Sequence, residues 1–117
     1  MQSSLQQIIN NSPCISLSDS QQLYHSAHKQ ALLVITQPDF SAVIALQGAQ
    51  LLSFKAHDAI DWLWQKPEQS FAQGQAIIGG IPLCAPWFGN QKQPLHGFAQ
   101  LKNWQLESLS QAADTIE

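Results

Sequence analysis

The chain reads as mainly β, an antiparallel β-sandwich, and three observations carry that fold class. Compact apolar runs recur at 31–36, 41–46 and 49–54, at the close spacing of an antiparallel sheet. They are separated by turn chemistry, Gln37-Pro38-Asp39 and then Gln47-Gly48. From residue 31 onward the apolar pattern follows the two-residue period of a strand rather than the helical one.

Taken in order, residues 3–10 read as a short helix, with Ser3 or Ser4 as N-cap and Leu5, Ile8 and Ile9 on one side. Asn10-Asn11-Ser12-Pro13 ends it. A polar stretch follows, in which Leu23 and Tyr24 open either a strand or a second short turn. His25 and His28 would share a helix face and so could hold a metal. No carboxylate or third histidine stands close by, and solvated surface is the preferred reading.

Ala31 to Thr36, Ser41 to Leu46 and Ala49 to Phe54 are the strands, the last two joined as a hairpin through Gln47-Gly48. His57-Asp58 reads as loop, because adjacent strand residues point to opposite faces and do not make a catalytic pair. Asp61 to Gln65, DWLWQ, reads as a strand with Trp62 and Trp64 on one face. The pair would either stack on a sugar ring or fill the core, and core is the preferred reading. Residues 67–75 read as a polar loop. Asn103 to Leu109 reads as a strand with Trp104, Leu106 and Ser108 pointing one way. Residues 111–114 then turn, and Thr115-Ile116 opens another strand.

Composition narrows the function classes. The 117 residues carry a net charge of −3 with 11% charged side chains. A nucleic-acid footprint needs clustered Lys and Arg, and no such cluster is present. The scattered glutamines read as uncharged surface. Cys14 and Cys84 are too few for a disulfide framework or a zinc pattern, and Cys84 reads as a small buried apolar residue. The N-terminus lacks the basic start and apolar core of a secretory signal, and no apolar run approaches the roughly 20 residues that span a bilayer. A cytoplasmic protein that binds neither nucleic acid nor membrane is the expectation. One domain at most fits this length, divided into a 1–30 extension with a short helix and a β unit over 31–117.

The densest stretch is residues 74–100, GQAIIGGIPLCAPWFGNQKQPLHGFAQ. Gly79-Gly80 permit close backbone approaches, and Pro82, Pro86 and Pro94 restrict themselves and their predecessors. A rigid, irregular path holding Trp87, Phe88, His96 and Phe98 suits a pocket wall. Gly79-Gly80 is not a nucleotide loop, since no third glycine, lysine or following helix supports one.

IGGIPLCAPWFG followed by HGFAQ resembles the aldose 1-epimerase (mutarotase) superfamily, specifically its hexose-6-phosphate mutarotase branch. Ala42 to Lys55, Trp62-Leu63-Trp64 and Trp104-Gln105-Leu106 resemble the same branch, so the likeness runs in order from about residue 40 to 107. It implies the N-terminal part of a large galactose mutarotase-like β-sandwich acting on a sugar or sugar phosphate, with no metal or other cofactor. Mutarotation takes a proton from the C1 hydroxyl and gives one to the ring oxygen. The ring opens, the aldehyde rotates, and the ring recloses as the other anomer. The family's general acid, a histidine, and its general base, a glutamate, follow the segments matched here. No catalytic residue is therefore expected in this chain, nor activity from it alone. The resemblance assigns substrate binding to His96, Gly97, Phe98 and Gln100. The branch carries arginine before the double glycine and at the end of HGFAR, where this chain has Ile78 and Gln100. That departure weakens the expectation of a phosphorylated substrate. The alternative is a non-catalytic carbohydrate-binding or self-assembling module, since a half-sandwich leaves open edges and apolar faces.

Overall fold

The computed structural model describes residues 4–10, 12–57, 59–112 and 115–117. Its frame is one four-stranded antiparallel meander, β1 (Ile15–Asp19), β2 (Ala31–Thr36), β3 (Phe40–Ala45) and β4 (Gln50–Ala56), in that spatial order. Two short helices flank the first strand: α1 (Ser4–Asn10) and α2 (Ser20–Tyr24). Of the two N-cap candidates for α1, Ser3 lies outside the described residues and Ser4 is the first residue of the helix. Asn11, Asp58 and Asp114 of the expected turns also lie outside them.

Strand pairing follows from alternation. Ile15, Ile35, Ala42 and Phe54 lie in one cross-strand row, and Leu17, Leu33, Ile44 and Leu51 in the next. These rows form one apolar face, against which Ile9 of α1 and the later Leu106, Leu109 and Ile116 pack. The opposite face buries Leu32, Ala45, Leu52, Phe71 and Ile77. A register shift beside Val43/Ile44 puts one extra residue into β4. That bulge lets Leu51 and Phe54 serve the first face while Leu52 serves the second.

The polar stretch after Pro13 contains a strand. In β1, serines alternate with Ile15 and Leu17, and pairing with β2 places it at the sheet edge. Leu23 and Tyr24 belong to α2, whose start is capped by the Asp19 carboxylate accepting from the Gln22 amide (2.9 Å). His25 and His28 are exposed around the turn that follows.

The glutamines are not all surface, contrary to expectation: Gln30, Gln37, Gln47, Gln50 and Gln100 are buried. Gln50 donates to the Ile77 and Gly79 carbonyls (2.9 and 2.7 Å). Gln47 accepts from Gln30 (2.9 Å) and donates to the Gln75 carbonyl (2.7 Å). These amides supply the partners that an irregular loop lying on a sheet otherwise lacks.

DWLWQ is not a strand, and Trp62 and Trp64 are 70% and 65% exposed rather than core. The Asp61 carboxylate takes the amides of Phe54 (3.1 Å) and Leu63 (2.9 Å) together with the Ser53 hydroxyl, turning the segment back onto β4. Residues 103–109 likewise form no strand beyond a bridge between Asn103 and Gln47. Leu106 and Leu109 lie across the apolar face instead, and Ile116 bridges Gln111. Cys84 is half-buried rather than buried.

Candidate functional site

The Gly79-Gly80 pair docks the 74–100 stretch on the sheet. A Cβ on Gly80 would stand 2.0 Å from the Leu51 carbonyl oxygen, and one on Gly79 would stand 2.5 Å from Gln65 Cα. Only glycine allows the next residue, Ile81, to donate to Leu51 at 2.9 Å and so cover part of the β4 edge. Beyond Pro82 the chain leaves the sheet and closes on itself. The Ala85 carbonyl accepts from the Phe98 and Ala99 amides at 2.9 and 3.0 Å. Gly97 makes this closure possible, because a Cβ there would lie 2.2 Å from the Ala85 oxygen.

Inside the closed loop, Trp87 Nε1 donates to the Pro94 carbonyl (2.8 Å), and its ring meets Phe98 edge-on at 5.9 Å. Lys92 Nζ sits 5.8 Å from the centre of the Trp87 ring. His96 adopts φ +63°, a left-handed conformation uncommon outside glycine. Its amide donates to the Gly89 carbonyl (2.8 Å), and its Nδ1 accepts from the Gly89 amide (2.9 Å). With Nδ1 occupied as an acceptor, the neutral ring carries its proton on Nε2. Phe88, itself exposed, packs on the imidazole at 4.9 Å between centroids.

The closed loop holds His96, Gly97 and Phe98, and each has a distinct part in it. Of these residues only Phe98 is exposed; His96 is half-buried and Gly97 is buried, as is Gln100. Gln100 is 6% exposed in the 3-10 turn Ala99–Leu101, its backbone against Gly48 of the β3–β4 turn. Ile78 is exposed, with its amide and carbonyl both held by the Gln69 side chain at 3.0 Å. Gly89 and Lys92 carry no signal in the sequence, because a hydrogen bond from Gly89 to a ring seven residues on depends on the loop being closed. Among the described residues no group of three or more His, Cys, Asp or Glu could hold a metal ion, and no helix is long and apolar enough to cross a membrane.

Two side chains have displaced ionisation. Burial pushes the Tyr24 hydroxyl above its usual value, opposed by the hydrogen bond from Gln65 and assisted by the charge of Asp61. Partial desolvation would raise Asp61. The Ser53 hydroxyl, the Leu63 and Phe54 amides and the Lys55 charge outweigh it, leaving this carboxyl below the ordinary range.

The aldose 1-epimerase family profile matches residues 31–117. A protein of Escherichia coli described as a glucose-6-phosphate 1-epimerase is 43% identical over 88 residues, covering 73% of this chain and 30% of that protein. A similarly described protein of Salmonella typhimurium is 42% identical over 80 residues, covering 66% and 27%. Among solved structures, a Salmonella typhimurium protein described as a mutarotase, YeaD, aligns with a TM-score of 0.77 and 33% identity. The alignment covers 90% of this chain and 34% of that one. HI1317 aligns at 0.72 with 34% identity, covering 87% and 39%. The chain thus spans about a third of the length of the proteins it matches.

Proposed function

The chain belongs to the aldose 1-epimerase family, and on that premise we propose that it forms the sugar-binding wall of a mutarotase-like isomerase. The fold is part of the galactose mutarotase-like β-sandwich. One observation carries the site reading. The Gly89 amide holds His96 Nδ1, so that Nε2–H is a fixed donor beside the exposed ring of Phe88. A pyranose has apolar C–H faces and a rim of hydroxyls. The phenyl rings of Phe88 and Phe98 suit the faces, and Nε2–H suits a hydroxyl oxygen.

In this reading His96 and Phe98 contact the sugar, and Gly97 lets the loop close beneath it. Gln100 holds the loop base against the β3–β4 turn. None of these groups moves the C1 or ring-oxygen proton. The acid and base come from family segments beyond those matched here, so this chain by itself binds without catalysing. The substrate is an aldohexose or its 6-phosphate. The relatives' names favour the phosphate. Ile78 and Gln100, in a chain whose five cations are all lysines, favour the unphosphorylated sugar.

The test is an NMR titration of the chain with D-glucose and D-glucose 6-phosphate. Resonances of His96, Phe88 and Phe98 shift saturably, and His96→Ala weakens binding about tenfold, as expected for losing one good hydrogen bond. Polarimetry of fresh α-D-glucose shows no interconversion above the buffer rate. Silent resonances overturn the site, and catalysis overturns the division of labour. A second reading, a non-catalytic carbohydrate-binding or self-assembling module, draws on the exposure of Ile60, Trp62 and Trp64. Sugar shifts centred on Trp62 and Trp64 instead of His96 would favour it.

A further inference from the structure

We propose that the hollow between α2 and the 65–71 loop is a second ligand site, which takes a small neutral polyol such as a single sugar ring. The hollow measures about 220 Å³ and is lined by Tyr24, residues 65–69 and Phe71. That is room for one small molecule, below the roughly 300 Å³ at which drug-sized pockets begin.

Its walls are prearranged. Tyr24 stacks on the buried Phe71 with centroids 5.6 Å apart and planes within 7°. Gln65 Nε2 donates to the Tyr24 hydroxyl oxygen at 3.2 Å, which leaves the Tyr24 O–H itself to donate. The loop is tied to the Gly79-Gly80 run. The Lys66 amide donates to the Ile78 carbonyl (2.9 Å), and the Gln69 side chain bonds both main-chain groups of Ile78. Within this short loop Glu68 and Phe71 hold φ of +60° and +59°. Two non-glycine residues in the left-handed region mark a backbone shaped by its surroundings rather than by its own preference.

The chemistry of the lining selects the ligand. Lys66 and Glu68 bring opposite charges to one small space, so their fields largely cancel and an oxyanion gains little. A hydroxylated neutral molecule can accept from Lys66 and Tyr24 and donate to Glu68, while its C–H surface meets the aromatic pair. Burial raises the Tyr24 pKa, which keeps this hydroxyl a donor throughout the neutral range. The site is separate from the His96 loop and does not depend on the reading given to it.

Tyr24 is the chain's one tyrosine, so its ring signals report on this hollow alone. The experiment titrates the protein with methyl α-D-glucopyranoside, which cannot open its ring, and in parallel with inorganic phosphate. Expected are saturable shifts of the Tyr24 ring and the 65–71 amides with the glycoside and none with phosphate. Lys66→Ala, a change at an exposed side chain, weakens the response of the Tyr24 ring about tenfold. Tyr24→Phe keeps the stack on Phe71 and weakens the response of the 65–71 amides to a similar degree. A stronger response to phosphate, a response unchanged in both variants, or no shift in this loop overturns the proposal. Shifts confined to residues 87–98 also overturn it while supporting the His96 reading.

Discussion

Asp61 shows how much one side chain contributes here. Its carboxylate gathers the Ser53 hydroxyl and two amides, folding the Trp62–Trp64 segment back onto β4. Ser53→Ala removes the leading favourable contact, so the Asp61 pKa measured by carboxyl NMR should rise toward the ordinary value of about 3.9. The sign for stability follows from the lowered folded-state pKa. Asp61 stabilises the fold above the unfolded pKa, and that contribution is lost as pH falls through the folded value. Tyr24 behaves in the opposite sense. Its contribution is full below about pH 10 and disappears as pH climbs through the raised folded value. As the lone tyrosine it can be titrated by absorbance. The native midpoint should lie above that in denaturant, and coincident midpoints would show that the hydroxyl is not buried as described.

At the scale of elements, the docking of residues 74–81 on β4 is the join that positions everything after it. Gly80→Ala puts a methyl group 2.0 Å from the Leu51 oxygen at φ +62°. Strain and overpacking together should cost at least about 2 kcal/mol in urea denaturation. Gln50→Ala leaves the Ile77 and Gly79 carbonyls without their side-chain donor and should cost about 2–4 kcal/mol. A loss under about 0.5 kcal/mol in either variant, the size of an ordinary surface change, would mean that the run is not held this way. The strands of the period-two runs are legible because their alternation is local. Residues 61–65 alternate equally well, yet the bonds from Asp61 to β4 overrule the pattern. The same pattern hides β1, because serines fill its alternate positions and its partner strand lies beyond α2. Only that pairing, Ile15 opposite Ile35 and Leu17 opposite Leu33, makes it a strand.

At the scale of the whole molecule, one apolar sheet face is only partly covered. Ile15, Leu33, Ile35, Ile44 and Phe54 line a groove of about 340 Å³ that Leu106, Leu109 and Ile116 cross without filling. Ile60, Trp62 and Phe88 add exposed apolar surface elsewhere. In a sandwich such a face lies against a second sheet. The chain by itself should therefore self-associate, with sedimentation mass rising above 12.9 kDa as concentration increases. A strictly monomeric chain would show that the strap of residues 106–116 suffices as cover.

The sequence by itself determined the β class, the hairpin through Gln47-Gly48 and the irregular path around His96, because each depends on neighbours in the chain: alternation, turn chemistry, glycine and proline. Tertiary structure alone decided which glutamines are buried, that Trp62 and Trp64 face water, and that Gln100 sits against Gly48 of the β3–β4 turn. A glutamine amide satisfies water and buried carbonyls equally well, and an indole suits a core or a surface. Such side chains take their place from whatever distant backbone arrives beside them, and no local pattern encodes that arrival.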